Sequence, residues 1–122
     1  MIASDAGVRR FIADLAAAEV SARVEGPAVI YAVTPIDGVL AGVEVQTAVS
    51  ISELHSWPLA VPHWLHFPTS VTFAHSNINT DDCLTGWQRH SRDIGHWDTS
   101  SPAARGWLAH VRGALTTATE PA

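Results

Sequence analysis

Residues 57–64 read Trp57-Pro58-Leu59-Ala60-Val61-Pro62-His63-Trp64, and this short run constrains the fold more than any other. Each proline lacks a backbone N–H and biases the residue before it towards extended backbone, so no helix can pass through the segment. A rigid, extended crossing is predicted, with its tryptophans packed on a sheet as core filling. The crossing also divides the chain: regular patterns lie before it, and irregular, polar and aromatic sequence follows.

Before the crossing, residues 4–21 carry an amphipathic helix pattern. Ser4 is suited to the N-cap and Asp5 to the first turn. Val8, Phe11, Ile12 and Leu15 recur at helical spacing, with Arg9, Arg10 and Asp14 on the other side. Gly26-Pro27 closes this segment. Ala28–Val33 is rich in β-branched residues and reads as a strand, followed by turn chemistry at Thr34-Pro35-Ile36-Asp37-Gly38. Over residues 43–51 the odd positions (Val43, Val45, Thr47, Val49, Ile51) can share a buried face and the even positions a polar one. This is the pattern of a half-buried strand, antiparallel to the first. A third strand is expected at 64–67 or 71–73. After the crossing, Ser101-Pro102 opens a helix near Ala103–Leu115 with Ala104, Trp107, Leu108, Val111 and Leu115 as its apolar stripe. Residues 74–100 show little periodicity, and a stretch of that length without regular structure is uncommon unless it carries function. The fold class expected is α+β, in a single domain spanning residues 1–122.

Composition narrows the functions available. The 122-residue chain suffices for one core, and 47% hydrophobic against 16% charged residues is a folding composition. A net charge of −5 argues against nucleic-acid binding, which needs a clustered basic surface. No apolar stretch approaches the roughly 18 residues of a membrane span. The N-terminus lacks the charged and apolar regions of a signal peptide, and the chain holds one cysteine; a reducing cytoplasm is the expected compartment. All seven basic residues are arginine and none is lysine.

The single cysteine, Cys83, ends the polar run His75-Ser76-Asn77-Ile78-Asn79-Thr80-Asp81-Asp82-Cys83-Leu84. From these residues alone, a nucleophile and a half-buried thiol in an irregular loop are both open. Asn77 is either an amide donor for an oxyanion or a turn-forming side chain. Asp81 and Asp82 raise a neighbouring thiol pKa, and can orient or deprotonate an incoming amine. Arg89, His90 and Arg92 are candidates for the rim of the site, with charges that offset the aspartates. A zinc set drawn from His63, His66, His75, Asp82, Cys83 and His90 matches no established spacing, and positions 63 and 66 of a strand point to opposite faces. No metal and no cofactor is expected.

The aromatic-Pro-x-x-x-Pro crossing, a strand, His75-x-Asn77 and then Cys83-Leu84 together resemble the ubiquitin-conjugating enzyme (UBC) family, over roughly residues 4–87. The Gly86-Trp87-Gln88-Arg89-His90-Ser91-Arg92 segment with Trp97 and the last helix is similar to prokaryotic UBC-like proteins. Ser76 stands where the family has proline. The resemblance implies a UBC-like fold of N-terminal helix, small antiparallel meander, long irregular active-site segment and C-terminal helix. It implies a transferase that carries a bacterial ubiquitin-like modifier as a thioester on catalytic Cys83. Asn77 would serve the oxyanion, His75 would order the loop, and Asp82 would act on the amine. Trp57, Pro58, Trp87, Arg89, His90 and Arg92 would be partner-binding. The implied partners are the modifier, its activating enzyme and a deubiquitinase-like peptidase from the same operon, with no nucleic acid and no membrane. The alternative is a catalytically inactive UBC/RWD-like interaction module.

Overall fold

The computed structural model describes residues 5–74 and 79–119. His75, Asn77 and the Ser4 cap lie outside these residues. Helix α1 (Asp5–Ala17) buries Val8, Phe11 and Leu15, as its spacing predicts. It ends four residues sooner than the pattern suggested. Val20 N donates to Leu15 O and Glu19 N to Ala16 O, both at 2.9 Å, with Glu19 at φ +65°. This is the Schellman closure, which requires a left-handed residue and is usually given to glycine. Gly7, on the same helix, is obligatory, since a Cβ there would overlap the Leu54 carbonyl.

Strand β1 (Ala22–Glu25) was not expected from the sequence, being short and mostly exposed. It forms a hairpin with β2 (Ala28–Val33) through Gly26-Pro27, and Gly26 at φ +56° supplies the positive φ that a two-residue turn needs. Strand β3 (Val45–Ser50) pairs antiparallel with β2, as expected, although the strand begins two residues later than its alternation suggested. A 3-10 turn (Ile51–Glu53) leads into the crossing, where the Trp57–Pro58 peptide is cis. Both proposed third strands exist. β4 (Trp64–Pro68) joins the sheet, whereas β5 (Thr72–Phe73) forms a separate two-stranded ribbon with a short C-terminal strand.

The stretch after β5 is where expectation and structure part. Strand β6 (Trp87–Ser91) lies within it and pairs with β4 from Trp64↔Ser91 to Pro68↔Trp87. Its residues are polar or aromatic because it is an edge strand with one face against the helices and the other under a loop. Helix α2 (Ala103–Leu115) follows as predicted, and β7 (Ala118–Thr119) completes the ribbon with β5. The protein is α+β, with an antiparallel sheet ordered β1-β2-β3-β4-β6.

Strand alternation gives this sheet two different faces. Val29, Tyr31, Val33, Val45, Val49, Leu65 and Phe67 meet α1 and α2, around Phe11, Trp57 and Trp107. Trp107 Nε1 donates to the Tyr31 hydroxyl at 2.8 Å, so the one buried polar group of each ring satisfies the other. Burying side chains of this size stabilises by about 1.5–3 kcal/mol each. The opposite face presents Ala28, Ile30 and Ala48, covered by Leu84 and Trp87. The even-numbered face of β3, expected to be polar, is therefore only partly so: Gln46 is exposed but Ala48 is buried.

Candidate functional site

The site is built on that second face. In β4, Leu65 and Phe67 point to the helices, so Trp64 and His66 point the other way, and His66 is in register with Arg89 of β6. Residues 79–86 fold back over these side chains. Asn79 pins the fold-back: its carbonyl accepts from Arg89 N at 2.8 Å. Its side-chain Oδ1 accepts from Asp81 N at 3.0 Å and from Arg89 Nε at 3.3 Å. A turn follows in which Cys83 N donates to Thr80 O at 3.3 Å and Asp82 takes φ +55°. Positive φ at the third position of a turn is usually left to glycine or asparagine, and aspartate is among the residues that tolerate it.

This turn directs Cys83 at the sheet. Its Sγ lies 3.6 Å from His66 Nδ1, 3.4 Å from the Asp81 carbonyl and 4.0 Å from the Asn79 carbonyl. The thiol is half-buried, and its hydrogen-bonding neighbours are an imidazole and two carbonyls. It borders a cleft of about 850 Å³ whose other walls include Gly26-Pro27, residues 50–53, His55, Trp64, His66 and Arg89. The sequence singled out His66 only within a zinc set of no established spacing. Its place beside the sulfur depends on a contact across seventeen residues of chain, which no local spacing reports.

Charge around the sulfur is mixed. Burial pushes the Cys83 thiol up; Arg89 pulls it down, and Asp82 and Asp81 push it further up. The arginine predicted to offset the aspartates is in place, yet the balance still favours the protonated thiol. His66 is only 4% exposed. Its pKa is lowered to about 4, first by burial and then by Arg89, with Asp82 opposing. At neutral pH a neutral imidazole therefore faces a neutral thiol.

The proposed site residues fall into two groups on opposite faces of the sheet. Cys83, Asp82, Arg89 and Trp87 share the second face. Arg89 Nη1 reaches Asp82 Oδ2 at 3.6 Å while its guanidinium stacks 4.0 Å over the Trp64 ring. Trp87 is half-buried against Ala28, Ile30 and Ala48. The other group lies on the helix side. Trp57, expected to bind a partner, is instead a core residue, 5% exposed, packed edge-on to Phe11 and Trp107 with Nε1 donating to Asp14 at 2.9 Å. Its burial corrects that reading, because a side chain enclosed by α1 and α2 presents no surface to a partner. Pro58 is half-buried beside it and its carbonyl accepts from Trp97 Nε1 at 2.8 Å.

His90 is also on the helix side. It packs against Phe73 at 4.5 Å between ring centroids and bonds Gln88 Oε1 at 2.9 Å, so it does not rim the thiol. Arg92, exposed beyond β6, lies against α2 near Gly113. His90 and Arg92 are therefore both away from Cys83: strand alternation sends His90 to the helix side, and Arg92 follows the strand and lies against α2. Among the described residues, no group of three or more His, Cys, Asp or Glu side chains is placed to hold a metal ion. Among the same residues, no helix is long and apolar enough to cross a membrane.

Comparison with protein-family models, with curated proteins and with solved structures gave no match.

Proposed function

We propose that the protein is a UBC-like acyl carrier, in which Cys83 holds the C-terminal carboxyl of a ubiquitin-like modifier as a thioester and passes it to an amine. The observation that carries this reading is the setting of the Cys83 sulfur, held by polar groups against an imidazole at the edge of an open cleft. An inert core cysteine keeps apolar neighbours instead. The order of helix, antiparallel sheet, cysteine loop and closing helix supports it, as does the resemblance carried by His75, Asn77 and Cys83-Leu84.

In the loading step the Cys83 thiolate attacks the carbonyl carbon of the modifier's thioester on the activating enzyme. A new C–S bond forms, the old one breaks, and the activating enzyme's sulfur leaves as thiolate. In the transfer step the amine nitrogen attacks the same carbon, a C–N bond forms, and Cys83 leaves. The resting thiol is protonated, so loading requires that the proton be taken up as the partner docks; His66 Nδ1 is the nearest imidazole acceptor. The chain has no lysine, so transfer to a lysine of the carrier itself is chemically closed. Incubation with the modifier, the activating enzyme and ATP tests the reading. A thiol-labile adduct on the wild type, replaced by a thiol-stable ester in Cys83→Ser, supports it; a thiol-labile adduct that persists in Cys83→Ser overturns it.

The raised thiol pKa favours a second reading, that of a catalytically inactive UBC/RWD-like interaction module. Here Cys83 would close the cleft rather than react, and the cleft would bind its partner without covalent chemistry. Under that reading the adduct never forms, and Cys83→Ala binds the partner as the wild type does.

A further inference from the structure

The five-stranded sheet ends in β6 on one side and in β1 on the other. At β6 the edge is covered, since Arg89 N donates to Asn79 O at 2.8 Å. At β1 it is open: Arg23, Val24 and Glu25 are all exposed, Val24 by 53% although it is apolar. An open edge is a template for another strand, and charged side chains usually guard it. The charges of β1 guard it against most strands and fit one.

The direction of the backbone groups follows from the neighbouring strands. Ile51 N donates to Pro27 O at 2.8 Å. Alternation along β2 then turns the peptide groups of Val29 and Tyr31 towards β3, and those of Ala28 and Ile30 towards β1. The residues opposite Ala28 and Ile30 are Glu25 and Arg23. Ala22 and Val24 therefore turn their N–H and C=O groups outward, and among the described residues neither makes a backbone hydrogen bond beyond the hairpin. Side chains alternate between the faces of the sheet. Val24 stands on the helix side with Val29, while Arg23 and Glu25 stand together on the second face, Arg23 Nη2 3.4 Å from Glu25 Oε2.

We propose that β1 is a self-association edge, at which two copies of the chain pair antiparallel about a two-fold axis through Val24. In this register Val24 exchanges N–H···O=C bonds with Val24 of the second copy, and Ala22 with Gly26. Arg23 then stands opposite Glu25 of the second copy and Glu25 opposite its Arg23, which closes a ring of four alternating charges. Other two-fold registers fail. Centring on Arg23 or on Glu25 sets like charges against each other and meets peptide groups already directed at β2. Centring on Ala22 runs off the strand and brings Glu25 towards Glu19. A strand from another protein would need the same order of charges, whereas a second copy carries it by symmetry. The two sheets become continuous with both Cys83 clefts on one side, and Gly26, which lines the cleft, lies in the interface. One short strand buries far less than the roughly 1,200 Å² of stable complexes, so the dimer is weak and depends on concentration. This association does not rest on the acyl-carrier reading.

Sedimentation equilibrium of the wild type from about 10 µM to about 1 mM tests the proposal, over concentrations suited to an interface of this size. A monomer–dimer equilibrium is expected, and a monomer at the highest concentration overturns it. Val24→Pro removes the N–H at the axis and none that bonds β2, so it should weaken the dimer at least about tenfold at an unchanged urea midpoint. Arg23→Glu and Glu25→Arg change exposed side chains only and give a measure independent of the proline. Each alone opposes like charges and should weaken self-association at least about tenfold. Mixed in equal amounts, the two variants oppose acid and base at both positions. Native mass spectrometry, with one variant ¹⁵N-labelled, should then show the heterodimer in excess of both homodimers. Dimers of either charge variant as strong as wild type, or a heterodimer fraction no higher than random mixing gives, overturn the proposal.

Discussion

Cys83 Sγ rests 3.6 Å from Nδ1 of His66, a contact made by a turn with positive φ at Asp82 above an antiparallel strand. The thiol and the imidazole each lack charge at neutral pH, because burial penalises the charged form of both. The pair is therefore a resting one that a docking partner or an added amine must activate.

The thiol should alkylate slowly at neutral pH. Its rate with iodoacetamide is expected to rise with a midpoint above that of an ordinary cysteine, near 8.5. Asp82→Asn should lower the midpoint and Arg89→Gln raise it, following the charge each removes. A wild-type midpoint near or below 7 contradicts the electrostatic picture.

His66 should make the protein sensitive to mild acid. The unfolded chain takes up its proton near pH 6.5, the folded protein only at about 4. Stability from this group is therefore complete above pH 6.5 and falls with pH through that window, by at most about 1.4 kcal/mol per pH unit. Urea unfolding between pH 7 and 4 should show a steeper loss in the wild type than in His66→Gln. Parallel curves would remove His66 as the cause.

Tyr31 and Trp107 form the core's main polar contact. Tyr31→Phe leaves the buried Trp107 Nε1 without its acceptor, with an expected cost of about 1–3 kcal/mol in denaturant unfolding. The pair's burial, which pushes the Tyr31 pKa up to about 12, also predicts that its phenol resists titration by absorbance well beyond pH 10. An early phenolate band would place Tyr31 in a wetter site.

Trp57 tests the core position of the proline-rich crossing against the partner-binding role that the resemblance implied. Trp57→Ala should cost about 3–5 kcal/mol by leaving a cavity between Phe11, Trp97 and Trp107. A loss below about 1 kcal/mol would restore it to the surface.

The helices, β2 and β3 were legible because their apolar residues keep one period over many positions: Val8, Phe11 and Leu15 in α1, Trp107, Leu108 and Val111 in α2. β6 was not, because an edge strand pairs on one side only. Its Trp87, Arg89 and Gln88 side chains read as a motif before they read as a strand. The grouping of Cys83 with Asp82 and Arg89 was anticipated from proximity in sequence. Alternation then divided Arg89 from His90, placing them on opposite faces though they are neighbours in the chain. His66 entered the sequence argument only as a zinc candidate, since its contact with Cys83 joins β4 to a turn seventeen residues later.

The most direct measurement is intact-mass spectrometry of the protein after incubation with a ubiquitin-like modifier, its activating enzyme and ATP. The expected result is one added modifier, released by reducing thiol, and converted in Cys83→Ser to an adduct that reducing thiol does not release. No adduct on the wild type, or a thiol-labile adduct on Cys83→Ser, contradicts a role for Cys83 as the acyl carrier.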